Sequence, residues 1–361
     1  MPSHKTATPV HRTRRIPDQG CPATPFQRRR QRTGTRAPYR TADLPFAVWP
    51  CAQKTSQWQR HGRYLPESNR HPGKMLPALA RRAIESYSDP GDLVLDPMCG
   101  IGTTLVEASH IGRRAVGIEL EPRWAQLARA NIKHAYHQGA SSPAQIIEGD
   151  ARQLPRLLTR QARSLLAYPT NESDRLAHTA YGHVDLILTS PPYACQVADV
   201  ATENLISGTG PIRREDTTNY SPDQSNLGHA RGNAYLTAMA EVYEACAAVL
   251  KPGGFLILVT KDMRSGGALR NLSGETITLC ENLGLHYWQR IIGLLTMIRD
   301  NELVMRPSFW QTLHARRAHA HGQRTHIVGH EDILVFRKPV GRVGSGSVDS
   351  TVQTHGLRKA A

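Results

Sequence analysis

Short apolar runs alternate with stretches of helical periodicity through the middle of the chain. The runs with the length and composition of strands are LVLD at 93–96, AVGIEL at 115–120, AQIIEGD at 144–150, VDLILT at 184–189, FLILVT at 255–260, and two more towards the ends of 285–295 and 332–338. Helical patterns follow the first run at Leu105–Ile111 and precede the fifth from Tyr235 to Leu250. Strands that alternate with helices predict a mostly parallel sheet covered by helices on both faces. The expected fold class is therefore α/β.

The periodic pattern is confined to roughly one stretch of the 361 residues, and this predicts the domain organisation. Residues 1–50 carry ten Lys or Arg, two acids and eight prolines. Such a segment cannot bury enough apolar surface to offset its chain entropy. We therefore expect a disordered basic arm at 1–54, one folded catalytic domain at 55–338 and a disordered tail at 339–361.

The charge balance predicts an acidic partner. Lys and Arg number 45 against 30 Asp and Glu, which gives a formal net charge of +15, and over half of it lies in the N-terminal arm. Clustered arginines release counterions from phosphates, so the arm is either a nucleic-acid-binding segment or a solvated leader.

Cysteine usage and hydropathy exclude other classes. The six cysteines form no CxxC pair, which disfavours a disulfide scaffold or a structural zinc site, and we expect no metal. Apolar runs fall short of the roughly 20 residues that cross a bilayer, and the N-terminus lacks the apolar stretch of a secretory signal. The sequence thus predicts a cytoplasmic protein with no membrane partner.

The run DPMCGIGTT at 96–104 lies directly between the first predicted strand and its helix. Its two glycines allow a tight turn and a close backbone approach to a ligand. Leu105 stands where a dinucleotide fingerprint has its third glycine, and no Gly-Lys-Ser/Thr follows, so NAD and P-loop sites are disfavoured. Glu119 ends the second strand, where a carboxylate can accept ribose hydroxyls, and Asp150 ends the third, placed to meet an adenine edge. On spacing alone, a plain turn with surface acids remains the alternative.

The run SPPY at 190–193 follows the fourth strand, at the edge of an α/β sheet where ligands bind. Prolines donate no backbone hydrogen bond and hold the chain extended. The Ser190 hydroxyl and the proline carbonyls therefore form a cluster of acceptors suited to an exocyclic amino group. Tyr193 offers a ring face on which a base could stack. Alone, such a run is more often a turn than a site.

Taken in order, DPMCGIGTT, the acid-ended strand GIEL, the EGD turn and TSPPY resemble the amino-methyltransferases of DNA. Members of that family use S-adenosylmethionine to methylate cytosine N4 or adenine N6. The run HPGKM at 71–75 resembles the family segment that precedes the glycine loop. The resemblance covers roughly 65–338 and implies the Rossmann-like class I methyltransferase fold.

The resemblance also implies two groups of site residues. Those implied to bind the cofactor are Lys74, Asp96, Pro97, Met98, Gly100, Gly102, Thr103, Thr104, Glu119 and Asp150. Those implied to hold the target base and act in catalysis are Ser190, Pro191, Pro192 and Tyr193. Met98 replaces the family's usual aromatic residue, and Ser190 replaces an aspartate, which favours cytosine N4.

Two loops, at 199–234 and 310–330, are candidates to grip DNA, or are simply solvated and basic. Their candidate phosphate contacts are Arg213, Arg214, Arg231, Arg316, Arg317 and Arg324. A metal site from His319 and His321 is disfavoured. The sequence predicts a DNA methyltransferase specific for cytosine N4, with a restriction endonuclease as a candidate partner. The alternatives are adenine N6 methylation, methylation of a base amine in RNA, and a decayed family member that binds DNA without turnover.

Overall fold

The structure, a computed structural model, describes most of the predicted folded domain. The described residues are 45–71, 73–161, 182–192, 227, 230, 232–265, 268–304 and 309–340. The predicted site residues Tyr193, Arg213, Arg214 and Arg231 lie outside them, as do most of the predicted arm and tail.

Helices and strands alternate as the pattern predicts. The helices are α1 (Ser56–Arg60), α2 (Pro77–Tyr87), α3 (Thr103–His110), α4 (Pro122–His137), α5 (Leu154–Gln161), α6 (Gly232–Val249), α7 (Leu272–Asn282) and α8 (Phe309–Ala320). The strands are β1 (Val48–Trp49), β2 (Leu93–Asp96), β3 (Arg114–Glu119), β4 (Ala144–Glu148), β5 (Val184–Thr189), β6 (Leu250–Thr260), β7 (Met263–Ser265), β8 (Ala268–Arg270), β9 (His286–Leu294), β10 (Met297–Arg299), β11 (Glu302–Val304) and β12 (His330–Arg337). Within the described residues, no helix has both the length and the apolar character needed to span a membrane.

Eight strands form one sheet in the order β1-β9-β12-β6-β5-β2-β3-β4. Strand β12 is antiparallel to β6 and β9, and the other pairings in this sheet are parallel. The chain winds outward from β2 to β4 in one direction and from β5 to β6 in the other. The carboxyl edge of a parallel sheet opens into a ligand crevice at such a reversal. The predicted Rossmann-like α/β fold is confirmed.

Proline and left-handed glycine mark where helices begin and end. Helices α2 and α4 begin at Pro77 and Pro122, the position at which proline's missing N–H costs nothing. Helix α4 ends at His137 and is followed by Gly139, whose φ of +94° a side chain would strain. Local chemistry thus sets where α2 and α4 begin and where α4 ends.

The core lies on both faces of the sheet. All four residues of β2 are buried, as expected for a central parallel strand. Leu93 and Leu95 belong to an apolar cluster that includes residues of α6. Val94 belongs to a second cluster on the opposite face, which includes residues of α2 and α3. The alternation of these contacts explains why LVLD is a continuous apolar run.

The folded part of the chain begins earlier than residue 55. Val48 and Trp49 pair in parallel with β9, and the side chains of Trp49 and Cys51 are buried in the second apolar cluster. The carbon of the Arg82 guanidinium lies 4.9 Å from the centroid of the Trp49 ring. The predicted boundary of the arm at residue 54 is therefore too late. The apolar stretch at 46–49 lies between two prolines and is too short to show any periodicity.

Gly117 occupies the centre of β3 opposite Asp96, where the glycine loop packs against the strand. A Cβ at this position would lie 2.7 Å from Cys99 Sγ and 2.9 Å from a methyl group of Leu105. We expect Gly117→Ala to lower the free energy of unfolding by about 1–3 kcal/mol, because a tightly packed core cannot absorb an extra methyl group. Urea unfolding followed by circular dichroism measures this loss.

The Gly117→Ala effect should be coupled to Cys99, whose Sγ is the nearest atom. In the double variant with Cys99→Ala, part of the lost stability should return, because the closest clash is gone. Strictly additive losses in this double-mutant cycle would contradict the explanation.

Candidate active site

One cavity of about 340 Å³ opens at the carboxyl edge of the sheet, where the order reverses between β2 and β5. Loops from four parallel strands line it, together with the segment before α2 and the start of β12. Its lining includes these predicted residues: Lys74, Asp96, Pro97, Met98, Gly100, Thr103, Thr104, Glu119, Asp150, Ser190, Pro191 and Pro192. The structure thus brings both predicted loops to one space, within the size range of small-molecule sites.

Asp96 holds the glycine loop in its turn. Its carboxylate is buried and accepts hydrogen bonds from the Met98 backbone N–H at 3.1 Å and from the Thr104 hydroxyl at 2.6 Å. Burial raises the pKa of Asp96 to about 6, and these hydrogen bonds partly offset that rise. Asp96 therefore shapes the loop from β2 to α3 as well as lining the cavity.

The two glycines of the loop have different roles. Gly100 lines the cavity at a φ of +52°, and a Cβ there would lie 3.0 Å from His71 Nε2. Gly102, at a φ of +81°, is not among the lining residues, and a Cβ on it would lie 3.2 Å from the Ala128 side chain. The prediction that Gly102 contacts the cofactor stays a prediction, and the structure shows in addition that a side chain at this position would meet α4.

Glu119 joins the end of β3 to the glycine loop. Its Oε2 accepts a hydrogen bond from the Gly100 N–H at 2.8 Å, and its Oε1 accepts one from the Glu121 N–H at 2.8 Å. Burial raises the pKa of Glu119 to about 7, against these two hydrogen bonds. A carboxylate oxygen can accept more than one hydrogen bond, so Glu119 keeps acceptor capacity towards the cavity.

Asp150 is engaged within its own turn. Its Oδ1 accepts a hydrogen bond from the Arg152 backbone N–H at 2.9 Å, and its Oδ2 lies 2.5 Å from Arg152 Nη2. The carboxylate therefore caps the short helix Ala151–Gln153. Asp150 lines the cavity as predicted, with its charge already paired.

The segment at 71–75 forms another wall. The buried His71 ring packs edge-on against Trp124 with centroids 4.6 Å apart, and burial lowers the pKa of His71 to about 3. Lys74 Nζ donates to the carbonyls of His71 at 2.7 Å and Asn69 at 3.0 Å. Burial, followed by the charge of Arg60, lowers the pKa of Lys74 to about 8. This wall thus carries the neutral imidazole of His71 and the Lys74 ammonium, which loses its proton more easily than an exposed lysine does.

Trp124 and Glu331 line the cavity and were not predicted from the sequence. Trp124 lies in the first turn of α4, and its buried Nε1–H has no hydrogen-bond partner in the described part of the chain. An aromatic residue soon after the acid-ended strand is a signal that could have been noticed. Glu331 comes from β12, more than a hundred residues beyond the SPPY run, and local pattern offers no signal for it.

Another wall of the cavity is formed by the loop after β5. The strand ends at Thr189, and Ser190, Pro191 and Pro192 follow it into the lining, with Pro191 buried. The acceptor cluster therefore faces the same space as the glycine loop.

Three of the predicted DNA contacts are described by the structure, and they are not among the residues that line this cavity. Arg316 and Arg317 on α8 and Arg324 after it are exposed, in the chain segment between β9 and β12. Both strand ends that bound this segment are at the carboxyl edge, since Leu294 pairs with His330 there. The three arginines are thus carried by an insertion that leaves the sheet on the cavity's side.

The cofactor side fits S-adenosylmethionine, which the resemblance implies. Glu119 offers acceptors for ribose hydroxyls, and Gly100 lets the backbone approach a ligand where His71 already leaves little room. The Trp124 N–H, which has no partner among the described residues, adds a buried donor at the cavity wall. These groups are the types that a nucleoside with an amino-acid end requires.

Known proteins resemble parts of this chain. A family model described as DNA methylase matches residues 23–130. The DNA adenine methyltransferase YhdJ of Escherichia coli is 31% identical over 109 residues, covering 30% of this chain and 35% of YhdJ. The tRNA (guanine(10)-N2)-dimethyltransferase of Methanothermobacter thermautotrophicus is 38% identical over 85 residues, covering 23% and 24%. The crystal structure of TrmN from Thermus thermophilus is 17% identical with a TM-score of 0.40, covering 78% of this chain and 53% of TrmN.

The chain spans 24% to 35% of the length of these curated relatives. The family match nevertheless includes the 71–75 segment, the glycine loop and Glu119, all of which contribute residues to the cavity lining. On this match, residues 23–130 are similar to a family of DNA methylases, and the residues that they contribute to the cavity fit S-adenosylmethionine.

Proposed function

We propose that the protein transfers a methyl group from S-adenosylmethionine to the N4 amino group of cytosine in DNA. The observation that carries this proposal is the shared cavity. Ser190, Pro191 and Pro192 line the same space as Glu119 and the glycine loop. A base amine held by the first group would lie beside a cofactor held by the second.

The proposed chemistry follows from the acceptors after β5. The lone pair of a base amine is delocalised into the ring, so the amine is a poor nucleophile. The Ser190 hydroxyl and the Pro191 carbonyl would accept hydrogen bonds from the amino group and favour a more tetrahedral nitrogen. S-adenosylmethionine, when bound, supplies a methyl group on a sulfonium. The protein's contribution is orientation and electrostatic stabilisation, and it needs no covalent intermediate.

A base in a duplex must leave the helix to enter this cavity. In the proposal, Tyr193 stacks on the flipped base, and the exposed Arg316, Arg317 and Arg324 contact phosphates. Arg213, Arg214 and Arg231 are proposed to act in the same way from the neighbouring loop. Adenine N6 is the second candidate target, favoured by the name of the relative YhdJ. A base amine in RNA is the third, favoured by the tRNA-modifying relative.

Product analysis tests the proposal directly. The purified protein is incubated with unmethylated DNA or RNA and labelled S-adenosylmethionine, and the nucleic acid is digested and analysed by mass spectrometry. We expect labelled N4-methylcytosine from DNA, and a loss of about 100-fold or more in Ser190→Ala with unchanged cofactor affinity. Labelled N6-methyladenine, or label in RNA alone, would replace the proposed target. Cofactor binding without transfer to either nucleic acid would overturn the catalytic claim.

A further inference from the structure

Five carboxylates line the cavity, and one of them stands apart from the others. Asp96 ends β2, Glu119 and Glu121 lie at the end of β3, Asp150 follows β4, and Glu331 lies in β12. The sheet order β12-β6-β5-β2-β3-β4 places β5, with the SPPY loop that follows it, between β12 and the other three strands. Glu331 is therefore the carboxylate on the far side of the SPPY loop from the glycine loop.

The other four carboxylates are engaged in their own loops. Asp96, Glu119 and Asp150 each accept a hydrogen bond from the backbone of the loop that they begin or join. Glu121 is buried, and its Oε2 lies 2.9 Å from Arg123 Nε. These side chains therefore shape the wall formed by the loops after β2, β3 and β4, and Glu331 is not part of that wall.

The pairing of β12 fixes where Glu331 points. It is half-buried and lies opposite Gly293 in the register with β9. Side chains alternate between the two faces of a strand, so Glu331 and its neighbour Asp332 point to opposite faces. Asp332 is buried and accepts hydrogen bonds from Ser273 Oγ at 2.7 Å and Arg290 Nε at 2.8 Å. Asp332 thus anchors the strand, whereas Glu331 lines the cavity.

The charge near Glu331 favours its ionised form. Lys261 is only 7% exposed, and burial lowers the pKa of its ammonium, whereas the Glu331 carboxylate raises that pKa. Two opposite charges that act on each other each favour the charged form of the other. We therefore expect Glu331 to meet a substrate as a carboxylate, the form that can take up a proton.

The proposed transfer releases a proton that needs an acceptor. A bond forms between the amine nitrogen and the methyl carbon, and the bond from that carbon to sulfur breaks and leaves its electron pair on sulfur. The nitrogen begins with two hydrogens and must lose one as a proton to become a neutral methylamino group. The Ser190 hydroxyl and the Pro191 carbonyl accept hydrogen bonds, but a carboxylate is the side chain that binds a proton readily.

We propose that Glu331 is a catalytic residue that accepts this proton as the bond to the methyl group forms, directly or through one water, and then releases it to solvent. This inference rests on the proposed function and deepens it. In an in-line transfer the amine hydrogens point away from the methyl donor. A base on the opposite side of the SPPY loop from the glycine loop is placed to meet them.

The first test removes the proton acceptor without changing its size. Glu331→Gln should lower the single-turnover rate of methyl transfer by about 100-fold, within the range for general base catalysis. Glu331→Asp keeps a carboxylate and should retain more activity than Glu331→Gln. Cofactor affinity by calorimetry and duplex affinity of the cofactor-free protein by fluorescence anisotropy should both be unchanged. Circular dichroism verifies that each variant is folded.

The second test returns the acceptor as a small molecule. Glu331→Ala leaves space for formate, which should restore part of the lost rate, whereas chloride at the same ionic strength should not. Glu331→Gln leaves no such space and should not respond to formate. Glu302→Ala is the matched control, because Glu302 is an exposed carboxylate in the segment between β9 and β12. This variant should keep the wild-type rate and show no response to formate.

Three results would overturn the inference and leave the proposed function standing. The first is a wild-type rate in Glu331→Gln. The second is a loss of rate in Glu331→Ala that formate does not relieve, as expected if the side chain only holds Lys261. The third is a loss of duplex affinity as large as the loss of rate, which would make Glu331 a binding residue. A wild type inert on all nucleic acids would instead overturn the proposed function, and the inference with it.

Discussion

Replacing Glu119 by alanine is expected to weaken S-adenosylmethionine binding by about 100-fold or more. The carboxylate accepts hydrogen bonds from the N–H groups of Gly100 and Glu121, so its loss frees the glycine loop from β3. It also removes the acceptors proposed for the ribose. Hydrogen bonds to a charged group contribute about 1.5–3 kcal/mol each, and two of them account for this loss. Isothermal titration calorimetry measures the affinity.

Glu148 provides the matched control. It lies opposite Glu119 in the neighbouring strand β4, but its carboxylate is exposed and paired with Arg129 at 2.5 Å. Glu148→Gln should bind the cofactor like the wild type. If both variants lose affinity equally, the effect comes from the charge of this edge and not from the contacts of Glu119.

The same carboxylate should make cofactor binding depend on pH. Burial raises the pKa of Glu119 to about 7, and the ionised form is the better acceptor for ribose hydroxyls. The affinity should therefore rise as pH increases through about 7, and this rise should be absent in Glu119→Gln. The stability of the cofactor-free protein should depend on pH in the opposite direction, because the folded state favours the protonated, neutral form of Glu119. That contribution to stability is present below about pH 4.5 and is lost as pH rises through about 7.

Replacing Glu107 by alanine is expected to lower the free energy of unfolding by about 3 kcal/mol. Glu107 is buried in α3, and its carboxylate accepts hydrogen bonds from Arg63 Nε at 2.7 Å, Arg63 Nη2 at 2.6 Å and the Tyr64 hydroxyl at 2.7 Å. Removing one partner leaves the others without a charge to pair with, which costs far more than losing a surface ion pair. Urea unfolding monitored by circular dichroism measures the change.

The pair Arg81–Glu85 on α2 is the natural comparison. It joins the same residue types at 3.0 Å on an exposed helix face. Glu85→Ala should cost less than about 0.5 kcal/mol. Similar losses in the two variants would mean that burial of Glu107 does not strengthen its contacts. The Glu107 network also attaches the segment before α2 to the helix that follows the glycine loop, so a weaker cofactor affinity should accompany the lost stability.

Local periodicity was sufficient to predict the strands in the central part of the sheet. The run LVLD is β2 without a residue of difference, and the other predicted parallel strands fall within β3, β4, β5 and β6 or extend them slightly. A strand buried on both faces must be apolar throughout, so its sequence carries the signal. The order of the two loop motifs likewise predicted that both loops would line one space, because parallel strands place their following loops at one edge.

Other features depend on contacts between distant parts of the chain. Trp49 is buried only because β9 lies beside it, and Glu331 reaches the cavity only because β12 returns antiparallel next to β6. Gly102 lies close to α4, and the carboxylate of Asp150 forms an ion pair with Arg152.

The residue types and spacing of the motifs therefore determined the fold class and the place of the glycine loop and the SPPY loop at one edge of the sheet. Which side chains share the cavity, and which carboxylates are already paired, was decided only by the tertiary structure. The physical reason is that a strand or turn is specified by neighbours along the chain, whereas the burial and hydrogen bonds of a side chain depend on residues that folding brings together.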